Sequence, residues 1–126
     1  MAPRAAGLGG LMPRAWRRGD ICWCDVDKRR PVVILTRDAL IPHLSNVTVA
    51  PLTTRVRGIA SQVVLDTFDG VPERCAISLD NLQTIPKDDL GDFISSLAPF
   101  RLKEMQRAAI FALELDALGE ELGGRS

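Results

Sequence analysis

The octapeptide Arg29-Arg30-Pro31-Val32-Val33-Ile34-Leu35-Thr36 is the clearest strand signal in the chain, and Pro51-Leu52-Thr53-Thr54 closes a second strand-like run about twenty residues later. Each segment joins an apolar run to a polar group at its end. If the two strands share a sheet, a guanidinium and a hydroxyl come together beside it. Such a pair suits a phosphate group.

Further short apolar runs indicate that most of the chain forms a sheet. They are separated by Gly, Pro, Asp or Asn, which are typical of turns. The predicted strands cover residues 21–24, 32–36, 47–52, 62–65 and 76–79, and a sixth, residues 93–97, is expected to close the sheet. The pattern therefore predicts a mainly β fold built as a small antiparallel barrel.

The pattern becomes helical after Pro99. Apolar residues then recur at helical spacing, at Leu102, Met105, Ala109 and Ala112. Pro99 suits the first turn of a helix, and Gly119 suits its end. We expect one C-terminal helix of about 17 to 20 residues, whose apolar stripe packs on the core or on a second copy of the chain.

Length and composition indicate one globular domain. The chain has 126 residues, of which 46% are hydrophobic and 25% charged, and no apolar stretch approaches the roughly 20 residues of a membrane helix. Residues 1–60 carry a net charge of +6 and residues 61–126 carry −6. A basic surface for a polyanion is one interpretation, but folding can interleave the two halves, so charge alone favours an ordinary solvated surface.

The three cysteines, Cys22, Cys24 and Cys75, are odd in number, and no clear secretory signal precedes them. This excludes a disulfide framework and favours buried free thiols in a cytoplasmic protein. A zinc site that uses these cysteines with the single histidine, His43, is the alternative. Its C-x-C spacing differs from the usual C-x₂₋₄-C, so we expect no metal and no cofactor.

The first 16 residues mix Gly, Ala, Pro and Arg without a sustained period, which is typical of a flexible extension. The ordered domain is expected to cover residues 17–126. A second methionine, Met12, leaves open where translation begins, so the sequence does not establish whether residues 1–16 are present in the native protein.

Four blocks together resemble the MazF/PemK family of toxin endoribonucleases, over about residues 18 to 115. The blocks are Gly19-Asp20-Ile21-Cys22-Trp23, Arg30-Pro31-Val32-Val33-Ile34-Leu35, Pro51-Leu52-Thr53-Thr54 and Leu79-Asp80-Asn81-Leu82-Gln83-Thr84-Ile85. The resemblance implies a small SH3-like antiparallel barrel of the CcdB/MazF type with a C-terminal helix. It also implies a homodimer that cuts single-stranded RNA at short sequences and is inhibited by a cognate antitoxin of the MazE type.

The resemblance places the key arginine at Arg30 and the key hydroxyl at Thr53. Alternation along a strand adds that only one of Arg29 and Arg30 faces a given pocket, and that Thr53 and Thr54 do not both face it. The resemblance further implies attack by the RNA's own 2′-hydroxyl without a metal, which leaves a 2′,3′-cyclic phosphate and a 5′-hydroxyl. Arg30 then clamps the phosphorane.

The general base remains open, because a guanidinium keeps its proton at neutral pH. His43 is one candidate if its loop folds over the site. Further side chains are candidates for RNA binding: Arg29, Arg37, Thr54, Arg55 and Arg57, which offer contacts to the backbone, and Asp80, Asn81, Gln83 and Thr84, which can read base edges. Solvated loop charges and a turn cap before Pro86 are the plainer interpretations of these residues.

The loop before the arginine-proline strand, at residues 25–29, is shorter than in many members of the family, so the recognised bases cannot be carried over. Whether the natural target is mRNA, rRNA or tRNA is also open, as is the identity of the antitoxin. Two other functions compete: a CcdB-like toxin that poisons gyrase, and a non-catalytic barrel that binds RNA or peptide. The chain ends in Gly-Gly-Arg-Ser rather than in aromatic and apolar residues, which argues against the gyrase toxin.

Overall fold

The computed structural model describes residues 14–25 and 28–115, and an antiparallel sheet dominates them. Its strands are β1 (Asp20–Asp25), β2 (Arg29–Ile34), β3 (Asn46–Thr53), β4 (Gln62–Leu65), β5 (Cys75–Ser78), β6 (Gln83–Pro86) and β7 (Phe93–Ser96). Short 3₁₀ turns lie at Ile41–His43, Thr67–Asp69, Leu79–Asn81 and Lys87–Asp89, and one helix, α1 (Pro99–Leu113), follows the sheet.

Strand β3 organises the sheet, whose order is β4-β5-β3-β2-β1-β7. One edge of β3 pairs with β2, and its other edge pairs with β6 near its start and with β5 at its end. Two different partners on one edge curl the sheet into a half-barrel. The predicted mainly β fold with a C-terminal helix is confirmed.

All six predicted strands are present, but β6 is not among them. Only Ile85 is buried in β6, so the segment lacks the apolar alternation that predicts a strand. Its pairing with the first half of β3 holds it in place. Strand β7 pairs with β1, and no ladder joins it to β4 among the described strands, so it extends the sheet rather than closing it.

Two apolar layers stabilise the sheet, one on each face. Because side chains alternate along β1 and β2, Ile21 and Val33 pack beneath α1, whereas Cys22 and Val32 enter the other layer. All three cysteines are buried free thiols. In the described part of the chain no helix is both long and apolar enough to cross a membrane.

Helix α1 packs on the first layer through Met105 and Ala108. It begins with Pro99 and has no side-chain N-cap bond, so packing stabilises its start. The 15-residue helix is shorter than predicted and ends at Leu113, where Glu114 adopts a left-handed conformation with φ of 57°. The predicted stop at Gly119 lies outside the described residues.

The segment before β1 is fastened to the sheet through the buried carboxylate of Asp20. Asp20 accepts hydrogen bonds from the Ser96 hydroxyl at 2.6 Å and from the Arg17 backbone N–H at 3.0 Å. Arg14 approaches the same carboxylate at 3.4 Å, and its guanidinium lies 3.5 Å from the Phe93 ring centroid. The domain boundary at residue 17 stays a prediction.

One ion pair ties α1 to the turn before β5. Arg101 donates two hydrogen bonds to the Asp69 carboxylate, at 2.9 and 3.1 Å, and a third to Glu104 at 2.8 Å. Burial opposes ionisation of Asp69, but the bonds from Arg101 and from the Asp66 backbone N–H outweigh it and lower the pKa of Asp69. The pair therefore stabilises the fold as long as Asp69 is ionised.

We predict that Asp69→Asn lowers the free energy of unfolding by about 1–3 kcal/mol near neutral pH, because it removes a two-bond charged pair. Since the pKa of Asp69 lies below its ordinary value of 3.8 in the folded protein, this contribution is fully present above that pH. It is lost as the pH falls through the lowered pKa. Urea unfolding of both proteins at a series of pH values measures the difference.

The matched control is Glu104→Gln, which removes the other partner of Arg101. Glu104 is 41% exposed, so its loss should cost less than about 0.5 kcal/mol. An equal effect of the two substitutions, or a difference for Asp69→Asn that persists in acid, would contradict the assignment.

Candidate active site

The neighbouring ends of β2 and β3 bring the two predicted catalytic residues together. Val32 pairs with Pro51 in this antiparallel ladder. If the same register is continued by two residues, Arg30 lies directly opposite Thr53 at the ends of their strands. Both side chains line one groove of about 700 Å³.

The groove is polar and mainly basic. Its cationic side chains come from two segments: Lys28 and Arg30 at the start of β2, and Arg55 and Arg57 after β3. Among the described lining residues, Asp80 is the single carboxylate. The groove therefore attracts a polyanion. Its described lining residues are Lys28, Arg30, Pro51, Thr53, Thr54, Arg55, Arg57, Ile59, Gln62, Ser78, Asp80, Asn81 and Gln83.

The Thr53 hydroxyl is oriented by the backbone that follows it. Its oxygen accepts a hydrogen bond from the Arg55 N–H at 3.1 Å, which leaves the hydroxyl proton for a ligand. Thr54 also lines the groove, so the expectation that only one of the two threonines faces it is wrong. Strand β3 ends at Thr53, and alternation no longer governs the next residue.

Gln62 holds the loop of Arg55 and Arg57 in place, a role that its sequence pattern does not predict. Its side-chain carbonyl accepts from the Arg57 N–H at 2.8 Å, and its amide group donates to the Arg55 carbonyl at 3.2 Å. Gln62 opens β4 and was predicted only as a strand residue. No local sequence signal joins it to a loop five residues earlier, because the contact depends on how the loop returns to β4.

The wall of the groove at the junction of β5 and β6 presents amide and carboxylate groups. Ser61 donates a hydrogen bond to the Asp80 carboxylate, and the Asn81 amide donates to the Ser78 hydroxyl at 2.7 Å. Gln83 follows at the start of β6. This wall carries three of the four polar residues predicted to read RNA bases, Asp80, Asn81 and Gln83.

Four candidates do not line the groove: Arg29, which lines a cavity beside it, and Arg37, His43 and Thr84. Arg37 and His43 belong to the connection between β2 and β3 at the far ends of these strands, roughly 20 Å along the strands from Arg30 and Thr53. His43 therefore does not lie over the site. Thr84 lies on β6, where it pairs with Thr48 of β3, and it does not line the groove.

Arg29 occupies a second cavity, of about 330 Å³, which we call the Trp23 cavity. Its guanidinium lies 4.9 Å from the centre of the Trp23 ring system. The groove and this cavity share Lys28, Arg30, Thr53 and Thr54. Arg29 and Arg30 therefore both line the Trp23 cavity, so the expectation that only one of them faces a given pocket is wrong there. The described residues that line the Trp23 cavity are Trp23, Lys28, Arg29, Arg30, Pro31, Leu52, Thr53, Thr54, Val71, Pro72, Glu73 and Cys75.

Cys24 and Cys75 show no sign of a reactive thiolate. Burial, with added repulsion from Glu73 and Asp69, raises the pKa of Cys75 to about 11. Burial likewise raises the pKa of Cys24. Within residues 14–25 and 28–115, no group of three or more His, Cys, Asp or Glu side chains is placed to hold a metal ion.

Comparison with known proteins identifies the family. Residues 17–113 match the family model for the PemK-like, MazF-like toxin of type II toxin-antitoxin systems. The chain belongs to this family. Endoribonuclease MazF3 of Mycobacterium tuberculosis is 47% identical over 91 residues, which cover 72% of this chain and 88% of the relative.

Solved structures of MazF proteins share this fold. Mycobacterium tuberculosis toxin MazF-mt6 aligns with a TM-score of 0.72 at 44% identity, over 75% of this chain and 96% of that chain. An endoribonuclease from a mycobacterial species, in complex with its cognate antitoxin, aligns with a TM-score of 0.72 at 29% identity, over 79% and 96%. The resemblance seen in the sequence is confirmed at the level of the MazF family.

We predict that Gln62→Leu accelerates hydrogen exchange at the Arg57 amide by about 5- to 10-fold, because the bond to the side-chain carbonyl is lost. Gln62→Glu keeps an acceptor for that N–H but loses the donor to Arg55, so it is the matched control and should retain protection. Amide exchange followed by NMR measures both. Equal protection in all three proteins would show that Gln62 does not hold the loop.

Proposed function

We propose that this MazF-family protein is a toxin endoribonuclease that cuts single-stranded RNA by attack of the RNA's own 2′-hydroxyl, without a metal. The endoribonuclease names of its relatives support the general activity. The observation that carries the mechanism is the meeting of Arg30 and Thr53 in one basic groove.

In the proposed reaction the 2′-oxygen attacks the adjacent phosphorus and the bond from phosphorus to the 5′-oxygen breaks. The 2′-hydroxyl loses its proton to a base, and the departing 5′-oxygen takes up a proton. The products are a 2′,3′-cyclic phosphate and a 5′-hydroxyl. Charge accumulates on the phosphoryl oxygens in the transition state, so a fixed cation beside them lowers the barrier.

Arg30 is suited to this task, because a guanidinium can donate two hydrogen bonds to phosphate oxygens in a fixed geometry. Thr53 adds a neutral donor, since its oxygen already accepts from Arg55 and its proton is directed elsewhere. Neither residue is a suitable base at neutral pH. His43, at the far end of the strands, is not the base in this proposal.

The groove also fits an unpaired strand of RNA better than a duplex. Arg55 and Arg57 lie beside the catalytic pair and can follow the phosphate backbone. The carboxylate and amide groups at the junction of β5 and β6 can pair with base edges, which only unstacked bases expose fully. Messenger, ribosomal and transfer RNA all contain such segments.

We further infer a cognate antitoxin of the MazE type and a homodimer as the partners. The solved relative at 29% identity is a complex with its cognate antitoxin. The exposed apolar residues at the end of α1, Ile110, Phe111 and Leu113, form a surface that association would cover. The names of the relatives favour RNA cleavage over the gyrase alternative.

We predict that the purified protein cuts single-stranded RNA in the presence of a chelator. Arg30→Ala should lower kcat by roughly 10²- to 10³-fold or more, because the transition state loses its clamp. Mapping of cleaved ends, with tests for the cyclic phosphate and the 5′-hydroxyl, measures activity and chemistry together.

The control for Arg30→Ala is Arg107→Ala, which removes an exposed arginine on α1 outside the groove. It should cut as the wild type does, and circular dichroism checks that both variants are folded. Full activity of a folded Arg30→Ala variant would refute the mechanism. Cleavage that stops on chelation would refute metal independence.

Arg55→Ala and Arg57→Ala should weaken RNA binding with little effect on the turnover of bound substrate. Each lost phosphate contact should lower the slope of log affinity against log salt by about 0.7 for a single strand. Titration of a non-cleavable 2′-deoxy oligonucleotide at several salt concentrations measures this slope. An unchanged slope in both variants would place the RNA backbone elsewhere.

A further inference from the structure

We propose that the Trp23 cavity receives the base of one of the two nucleotides that flank the cut phosphate, and that this base stacks on the pair formed by Trp23 and Arg29. This inference rests on the proposed cleavage of RNA at Arg30 and Thr53. It assigns Trp23 as a substrate-binding residue.

The register of the sheet places Trp23 and Arg29 together. Trp23 lies opposite Pro31 in the ladder between β1 and β2, and Arg29 shares a face of β2 with Pro31. Arg29 is thus the diagonal neighbour of Trp23. The 4.9 Å separation of the guanidinium carbon from the centre of the ring system is typical of a cation–π contact. Unpaired RNA bases stack on both of these flat groups.

The cavity differs in character from the groove. Its walls include the apolar side chains of Pro31, Leu52, Val71 and Pro72, whereas the groove is lined mostly by charged and amide groups. At about 330 Å³ it is near the lower end of the size of small-molecule sites. An apolar cleft with one aromatic wall suits the face of a single base, while the groove suits phosphates and base edges.

The position of the catalytic pair links the two spaces. Arg30 and Thr53 line both of them, so a phosphate bound there has the groove on one side and the Trp23 cavity on the other. The two nucleotides on either side of this phosphate must then extend into different spaces, one into the groove and the other into the Trp23 cavity. Attack by the 2′-oxygen requires an approach in line with the departing 5′-oxygen, and unstacking the two bases permits that geometry. Stacking on Trp23 offsets the cost of unstacking.

Fluorescence tests the stack directly. The chain contains two tryptophans, and Trp16 packs against the other apolar layer, so Trp16→Phe leaves Trp23 as the sole reporter. A non-cleavable oligonucleotide with a 2′-deoxy sugar at the mapped cut should quench Trp23 emission. The same oligonucleotide with an abasic residue at the correct flanking position should bind without quenching. Equal quenching by the intact oligonucleotide and by both abasic versions would overturn the proposal.

Kinetics provide the second readout. Trp23→Leu should lower kcat/KM by roughly 5- to 100-fold, whereas Trp23→Phe retains an aromatic face and should stay within a few-fold of the wild type. An abasic residue at the same flanking position should cost the wild type a similar factor and should cost Trp23→Leu little. Additive losses would mean that Trp23 does not contact that base.

The outcomes separate this inference from the proposed function. If the wild type cuts RNA but neither Trp23→Leu nor either abasic substrate changes the rate, the base site is wrong and the nuclease assignment stands. If the wild type does not cut RNA, the proposed function itself fails. Should Trp23→Leu not fold, the abasic substrates and the quenching of the Trp16→Phe protein still decide the matter.

Discussion

The pairing of β2 with β3 is the constraint on which the rest of the molecule depends. Side chains alternate with a period of two, so a slip of one residue would turn Val32 and Val33 to the wrong apolar layers. The same slip would move Arg30 out of line with Thr53. Because β3 also pairs with β5 and β6, a shift would disturb three ladders at once. Stability and site geometry therefore share one register.

The two halves of the chain contribute different parts of the groove. All four cationic lining residues described come from the first 60 residues, while Asp80, Asn81 and Gln83 come from the second half. Folding thus brings part of the positive charge of residues 1–60 together on one surface. The uneven distribution of charge along the sequence is compatible with this arrangement. The cationic side chains suit a phosphate backbone that is the same in every RNA, and the amide and carboxylate side chains suit bases that differ.

Much of the fold and of the site could be predicted from sequence, because the strands carry their own apolar runs and the turns their own Gly, Pro and Asp. Strand β6 could not be predicted in this way, because pairing with β3 determines its conformation more than its own sequence pattern does. Arg37 shows why part of the site could not be predicted from the sequence. It follows β2 closely in the sequence, yet a strand carries its two ends apart, and Arg37 emerges at the end away from Arg30.

The burial of two cysteines has a consequence for the redox chemistry near the site. Thiols react with peroxides and disulfides through their ionised form, and burial keeps Cys24 and Cys75 protonated at neutral pH. Cys75 borders the Trp23 cavity but is only 6% exposed. Mild oxidants therefore have no quick covalent route to these two sulfurs beside the site.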